Sequence, residues 1–332
     1  MIDLLVNPVE LSTDLVELLP LDGNTLFLCH ASYEPRAFKV SAGSLDRLNI
    51  TVAAVVATTA SIKNNPKYAA CHAELKRRLC RFTKTPTISI EADRDDLVGL
   101  VTQLHARLSE NRLENIQNVI IDATVFPKDR LWMAVDYIKQ AVSHVRMIVL
   151  YVEPDAYNTE VVESGWLSSG VKRIGSIPRF NGHQSTQKRA LLVIVVGHEQ
   201  ERMQITIKNT EADKVVLIGQ GLQQHSEDAP NLAKIIVQHL GQDYAHVVDK
   251  SAVFSVGSRD YLGVNTAVAA IFERFSAEYN VIVAANGTKL QSLGAMLACR
   301  TNRAITAIYA EPQIYNTTSY STGAGKTWGI SI

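Results

Sequence analysis

The chain has 332 residues, of which 46% are hydrophobic and 20% charged, enough for two buried cores and incompatible with intrinsic disorder. Lys plus Arg and Asp plus Glu both total 33, so the net charge is zero. A long nucleic-acid duplex is therefore not expected as a general partner, although a small anionic ligand can still meet a locally positive surface.

Residues 1–22 read as an acidic, polar-interrupted lead-in, unlike a secretory or mitochondrial address. Apolar runs such as Leu191–Val196 are too short to span a bilayer, so a cytoplasmic protein with no membrane partner is expected. The four cysteines, Cys29, Cys71, Cys80 and Cys299, form no CxxC pair and read as reduced thiols. No motif calls for a metal or a cofactor.

A first strand, residues 25–30, leads into a polar loop with His30, Tyr33, Glu34 and Arg36. There Arg36 either holds an anion or pairs with Glu34. Strands at 51–58 and 87–91 and helices near 67–82 and 95–109 follow. The run 118–124 then opens an amphipathic stretch from Lys128, and a further strand ends at the segment Glu153–Tyr157.

The second half repeats this order. A strand over 190–198 enters a loop with His198, Glu199, Glu201 and Arg202; a strand at 215–219 and helices near 226–240 and 262–278 follow. The run 280–288 opens another amphipathic stretch at Lys289. At a fixed offset, Tyr151, Glu153, Pro154, Tyr157, Asn158 and Thr159 match Tyr309, Glu311, Pro312, Tyr315, Asn316 and Thr317. Such identity within a short window indicates internal duplication.

Apolar strands alternating with amphipathic helices give the fold class: α/β, two tandem Rossmann-like units, each a mostly parallel sheet with helices on both faces. The expected division is a domain over 23–178, a linker near 179–188 and a second domain over 189–332. Ligands of such sheets bind beyond the carboxyl ends of the strands. The turn Asn286, Gly287, Thr288, Lys289 suits a phosphate: glycine permits close approach, and a helix start supplies N–H groups. An ordinary capped turn is the alternative. Its first-half counterpart, 122–128, has no glycine and carries Asp122. The segment 323–327 looks like the end of a Walker A loop but has neither its first glycine nor room for the following helix.

The run from Val281 to Arg300, followed by Tyr309-x-Glu311-Pro312, resembles the strand–turn–helix segment of CARF domains, the CRISPR-associated Rossmann-like ligand sensors. A fused pair resembles the related SAVED arrangement. The resemblance implies a cyclic oligonucleotide bound between the two domains, with Thr288 and Lys289 facing its phosphates and Thr124 and Lys128 as weaker equivalents. It also implies bacterial antiviral defence and a separate protein effector, and it is compatible with a homo-oligomer. Three readings remain open at this point. One is a sensor; another is a metal-independent phosphodiesterase using His30 and His198. The third is a non-catalytic interaction subunit.

Overall fold

The structure is a computed structural model and describes residues 9–11, 23–42, 45, 49–83, 85–111, 113–157, 168–219, 236–237, 240–315 and 321–332. The chain divides into two units, one made of Met1–Tyr157 with Ser321–Ile332 and the other of Asn158–Tyr320.

In the first unit the strands are β1 (Val9–Leu11), β2 (Thr25–His30), β3 (Ile50–Thr58), β4 (Ile88–Ala92), β5 (Asn118–Asp122) and β6 (Arg146–Val152). The helices are α1 (Thr59–Asn64), α2 (Pro66–Leu79), α3 (Leu97–Glu110) and α4 (Lys128–Ala141). Strands β6, β5, β2, β3 and β4 lie side by side in parallel. Alternate residues Phe27, Cys29, Ala53, Val55, Ile120 and Ile148 build one core with Tyr68, Leu75 and Leu79 of α2. The intervening residues Leu26, Leu28, Ala54, Val56, Val119 and Ile121 are equally buried, so both faces of the sheet are covered.

In the second unit β9 (Arg189–Val195), β10 (Lys214–Gly219), β11 (Phe254–Ser255), β12 (Tyr279–Ala285) and β13 (Thr306–Tyr315) form the parallel set, in the order β11-β10-β9-β12-β13. Its helices α5 (Gln200–Thr210), α6 (Tyr261–Phe275) and α7 (Lys289–Thr301) connect them. Met203 and Ile207 of α5 pack on Leu192, Ile194, Leu217 and Ile282, while α6 and α7 pack on each other.

Each unit thus starts in the middle of its sheet, adds two strands to one side, then returns to add two on the other. This shared order supports the duplication read from the sequence. The edges, however, are exchanged. Strand β8 (Ser168–Ser176), which follows the fifth strand of the first unit, pairs antiparallel with β13 in the second. Strand β15 (Thr327–Ser331), which follows β13, pairs antiparallel with β6 in the first. The expected boundary near 179–188 is therefore displaced, because residues 168–178 belong to the second unit and 321–332 to the first. Neither β8 nor β15 carries the long apolar run that marks a central strand, so the sequence reading passed over both.

The segment Glu311–Tyr315, expected to follow the fifth strand, is part of it: β13 runs on through Tyr315, and Pro312 is accommodated at a bulge in the pairing with β8. In the first copy the strand stops at Val152, and Ala156–Tyr157 (β7) pairs with Ser321–Thr322 (β14). The matched residues Asn158, Thr159, Asn316 and Thr317, most of the expected helix 226–240 and most of the lead-in 1–22 lie outside the described residues.

Candidate functional site

In both units the order of strands reverses at one place, between β2 and β5 and between β9 and β12. The loops leaving two such neighbours diverge and leave a crevice at the carboxyl rim, where α/β sheets bind ligands.

In the second unit the corresponding place on the rim is where the loop after β9 meets the turn Asn286–Thr288. The backbones approach so closely that a Cβ on Gly197 would come 2.2 Å from the Asn286 carbonyl oxygen. A Cβ on Gly287 would come 2.3 Å from Gln291 Oε1 and 2.8 Å from Val195. Thr288 is the N-cap of α7: its hydroxyl accepts from Gln291 N at 3.2 Å, and the Gln291 side chain accepts from Thr288 N at 3.0 Å. The same hydroxyl donates to the Ser258 carbonyl, and Gln291 Nε2 donates to the Gly257 carbonyl at 3.1 Å. These bonds hold the loop before α6 against the turn. They also occupy the one proton that the Thr288 hydroxyl can donate. Lys289 is the first residue of α7 and half-buried. Asn286 Nδ2 is buried with no hydrogen-bond acceptor.

The first unit has the same rim built differently. Asp122 ends β5 and is 2% exposed; it accepts from Thr124 N at 3.0 Å. Burial pushes its carboxyl up to about 6, against the pull of the Thr124 bond and the Arg36 charge. Burial also raises the neighbouring Cys29 thiol, with the Asp122 charge adding to the effect. Thr124 is fully buried, and its hydroxyl accepts from Val152 N at 3.0 Å, stitching β5 to β6. Lys128 opens α4 and is half-buried. The threonine is thus spent on architecture in this rim.

His30 is buried, with Nδ1 2.7 Å from the Ala31 carbonyl and its ring edge-on to Phe126. His198 is exposed. Both follow a first strand, and their environments differ: one is buried and the other exposed. Tyr33 packs on the core of the first unit. Arg36 pairs with Glu34 at 2.8 Å and donates to the Val152 carbonyl at 3.2 Å. Arg202 pairs with Glu199 and donates to Ser168 Oγ at 3.2 Å. Both arginines are buried in internal pairs, the architectural alternative weighed for Arg36. Glu311 is buried beside Arg173 at 3.3 Å and Lys172 at 4.0 Å.

The sequence reading missed Gly197, Gln291 and the clamp of Arg94 on buried Asp129 at 2.9 Å. Gln291 was legible, since Thr followed three residues later by Gln opens a capping box. Gly197 becomes meaningful only when β12 is placed beside β9. Among the described residues no group of three or more His, Cys, Asp or Glu is arranged to hold a metal, and no helix is long and apolar enough to cross a membrane. Gly325 donates to the Glu153 carbonyl at 2.8 Å and Thr327 begins β15, so the Walker-like segment opens a strand instead of a helix.

A family model described as "HFX_2341_N:-like, N-terminal" matches residues 191–315, from the first parallel strand of the second unit to the last. No curated protein matches the chain. A solved structure of a Type III CRISPR defence DNA nuclease activated by cyclic oligoadenylate is similar over 86% of this chain, with 12% identity and a TM-score of 0.49. The chain spans 65% of that protein's length.

Proposed function

We propose that the chain senses a phosphate-bearing nucleotide, of the cyclic oligonucleotide class, at the carboxyl rim of the second unit. On this reading it signals to a separate protein partner in antiviral defence. The carrying observation is Asn286 Nδ2, a buried donor without an acceptor at the turn that opens α7. A buried unsatisfied donor costs about 1–3 kcal/mol and calls for an explanation, of which an absent anionic ligand is one. Beside it stand the positive end of the α7 dipole and Lys289 at its first position. The sequence resemblance of Val281–Arg300 to CARF domains supports the same ligand class.

The test is to denature the purified protein, identify released nucleotides by mass spectrometry, and screen cyclic di-, tri- and tetranucleotides by melting temperature. Ligand at about a hundred times its Kd stabilises by about 2.7 kcal/mol. The shift is expected to disappear in Lys289→Ala and in Asn286→Ala. Turnover of the ligand would convert the sensor into a phosphodiesterase. Neither bound nucleotide nor any shift would remove both readings and leave an interaction subunit.

A further inference from the structure

We propose that the outer face of α1 and α2 in the first unit binds the phosphodiester backbone of a nucleic acid. The zero net charge of the chain hides a local excess. Residues 59–83 carry six cations, Lys63, Lys67, Lys76, Arg77, Arg78 and Arg81, against a single acid, Glu74. That acid is already engaged, 2.7 Å from Arg77 Nε and 2.8 Å from Arg78 Nε. Lys63, Lys67, Arg77 and Arg81 are exposed. Along α2 the exposed positions Pro66, Lys67, Ala70, Ala73 and Arg77 recur with helical spacing, which places Lys67 and Arg77 on one stripe about 15 Å apart, while exposed Lys63 precedes the helix in α1 and exposed Arg81 follows its end.

Two ordinary explanations fall short. Cations in the last turn of a helix complement its dipole, which accounts for Lys76, Arg77 and Arg78. It does not account for Lys63 and Lys67, since Lys67 sits in the first turn of α2, where a cation is disfavoured. Nor does the fold require these cations. The topologically equivalent segment of the second unit, residues 220–253, carries Glu227, Asp228, Asp243 and Asp249 against Lys234 and Lys250. Duplication kept the connection and not its charge.

The chemistry of the face selects the partner. Protein interfaces are anchored by large apolar or aromatic side chains in pockets, and the exposed stripe of α2 offers nothing apolar larger than Pro66, Ala70 and Ala73. Insertion into a lipid surface needs the same anchors. Exposed cations spaced apart over α1, α2 and the turn after it, without anchors between them, match an extended polyanion, and nucleic acid is the one with regularly spaced phosphates.

The experiment is fluorescence anisotropy of the full chain, without added nucleotide ligand, against labelled duplex DNA and single-stranded RNA. If four cations each neutralise one phosphate, affinity for the duplex falls about a hundredfold between about 50 and 200 mM salt. Lys67→Glu with Arg77→Glu is expected to abolish binding while lowering the melting temperature only slightly, through loss of the Arg77–Glu74 pair. Glu74→Gln, which releases Arg77 and Arg78, is expected to tighten it, and this gain cannot come from misfolding. Absence of binding at low salt, or binding indifferent to these substitutions, overturns the proposal. So does equal affinity for polyglutamate, or binding to phosphatidylserine vesicles but to neither oligonucleotide. The assay contains no cyclic nucleotide, so its outcome is independent of the sensing site at Asn286–Lys289.

Discussion

Ser321 Oγ donates to Glu34 Oε2 at 3.0 Å, joining residues 287 apart in sequence. Glu34 holds buried Arg36, so the segment that delivers β15 is fastened to the loop after β2. The second unit repeats the arrangement with other residues: Ser168, which opens β8, meets Glu199, the N-cap of α5, and Arg202 in its first turn. In each unit a serine of the exchanged segment, a part-buried glutamate and a buried arginine form one pin. Replacing Glu34 with Ala removes the carboxylate that pairs with buried Arg36 and is expected to cost about 1.5–3 kcal/mol. Replacing Ser321 with Ala removes one hydrogen bond and about 1 kcal/mol. Urea denaturation checks both; changes below about 0.5 kcal/mol would mean that the pin holds nothing.

Deleting 327–332 is a larger perturbation. It removes buried Trp328 and Ile330 and leaves β6 as an open apolar edge. An edge of this kind invites pairing with another chain. Size-exclusion chromatography is expected to show aggregation, and a monomeric, cooperatively folding deletion would refute the importance of the exchanged strand.

At the rim of the second unit, Thr288 and Gly197 separate architecture from binding. Thr288→Ala loses the N-cap and is expected to cost about 1 kcal/mol. Its effect on ligand affinity should be small, because the hydroxyl proton is given to Ser258. Gly197→Ala drives a methyl into the Asn286 carbonyl and is expected to cost about 1–3 kcal/mol and to weaken any ligand that needs Asn286. Titration of both variants with the nucleotide found by mass spectrometry distinguishes the cases; a Thr288→Ala variant of normal stability that cannot bind would restore the hydroxyl as a phosphate contact.

Asp122 makes stability depend on pH in a defined direction. Its folded pKa of about 6 lies above the ordinary 3.8. Below about pH 4 both states keep the proton; between about 4 and 6 the unfolded chain releases it and the folded chain does not. Stability therefore falls as pH rises through this window, by about 3 kcal/mol for this group, and levels off above it. Asp122→Asn is expected to flatten that decline. Melting curves from pH 4 to about 7.5 that decline equally in both proteins would assign the effect elsewhere.

The sequence by itself determined what repeats and local chemistry can carry. Alternating Val/Ile/Leu runs and amphipathic helices specify covered parallel sheets, and the Tyr-x-Glu-Pro match exposes the duplication. The Asn286–Lys289 turn declares itself because glycine and a capping threonine are local signals. The tertiary structure decided which strands exchange, since β8 and β15 are short or charged and gain their place only from a partner strand distant in sequence. It also decided that Arg36 and Arg202 are buried in pins and that Thr124 and Thr288 are bonded internally. The raised pKa of Asp122 has the same origin. Burial and long-range hydrogen bonds set how a polar side chain is used, and neither is encoded in its neighbours along the chain.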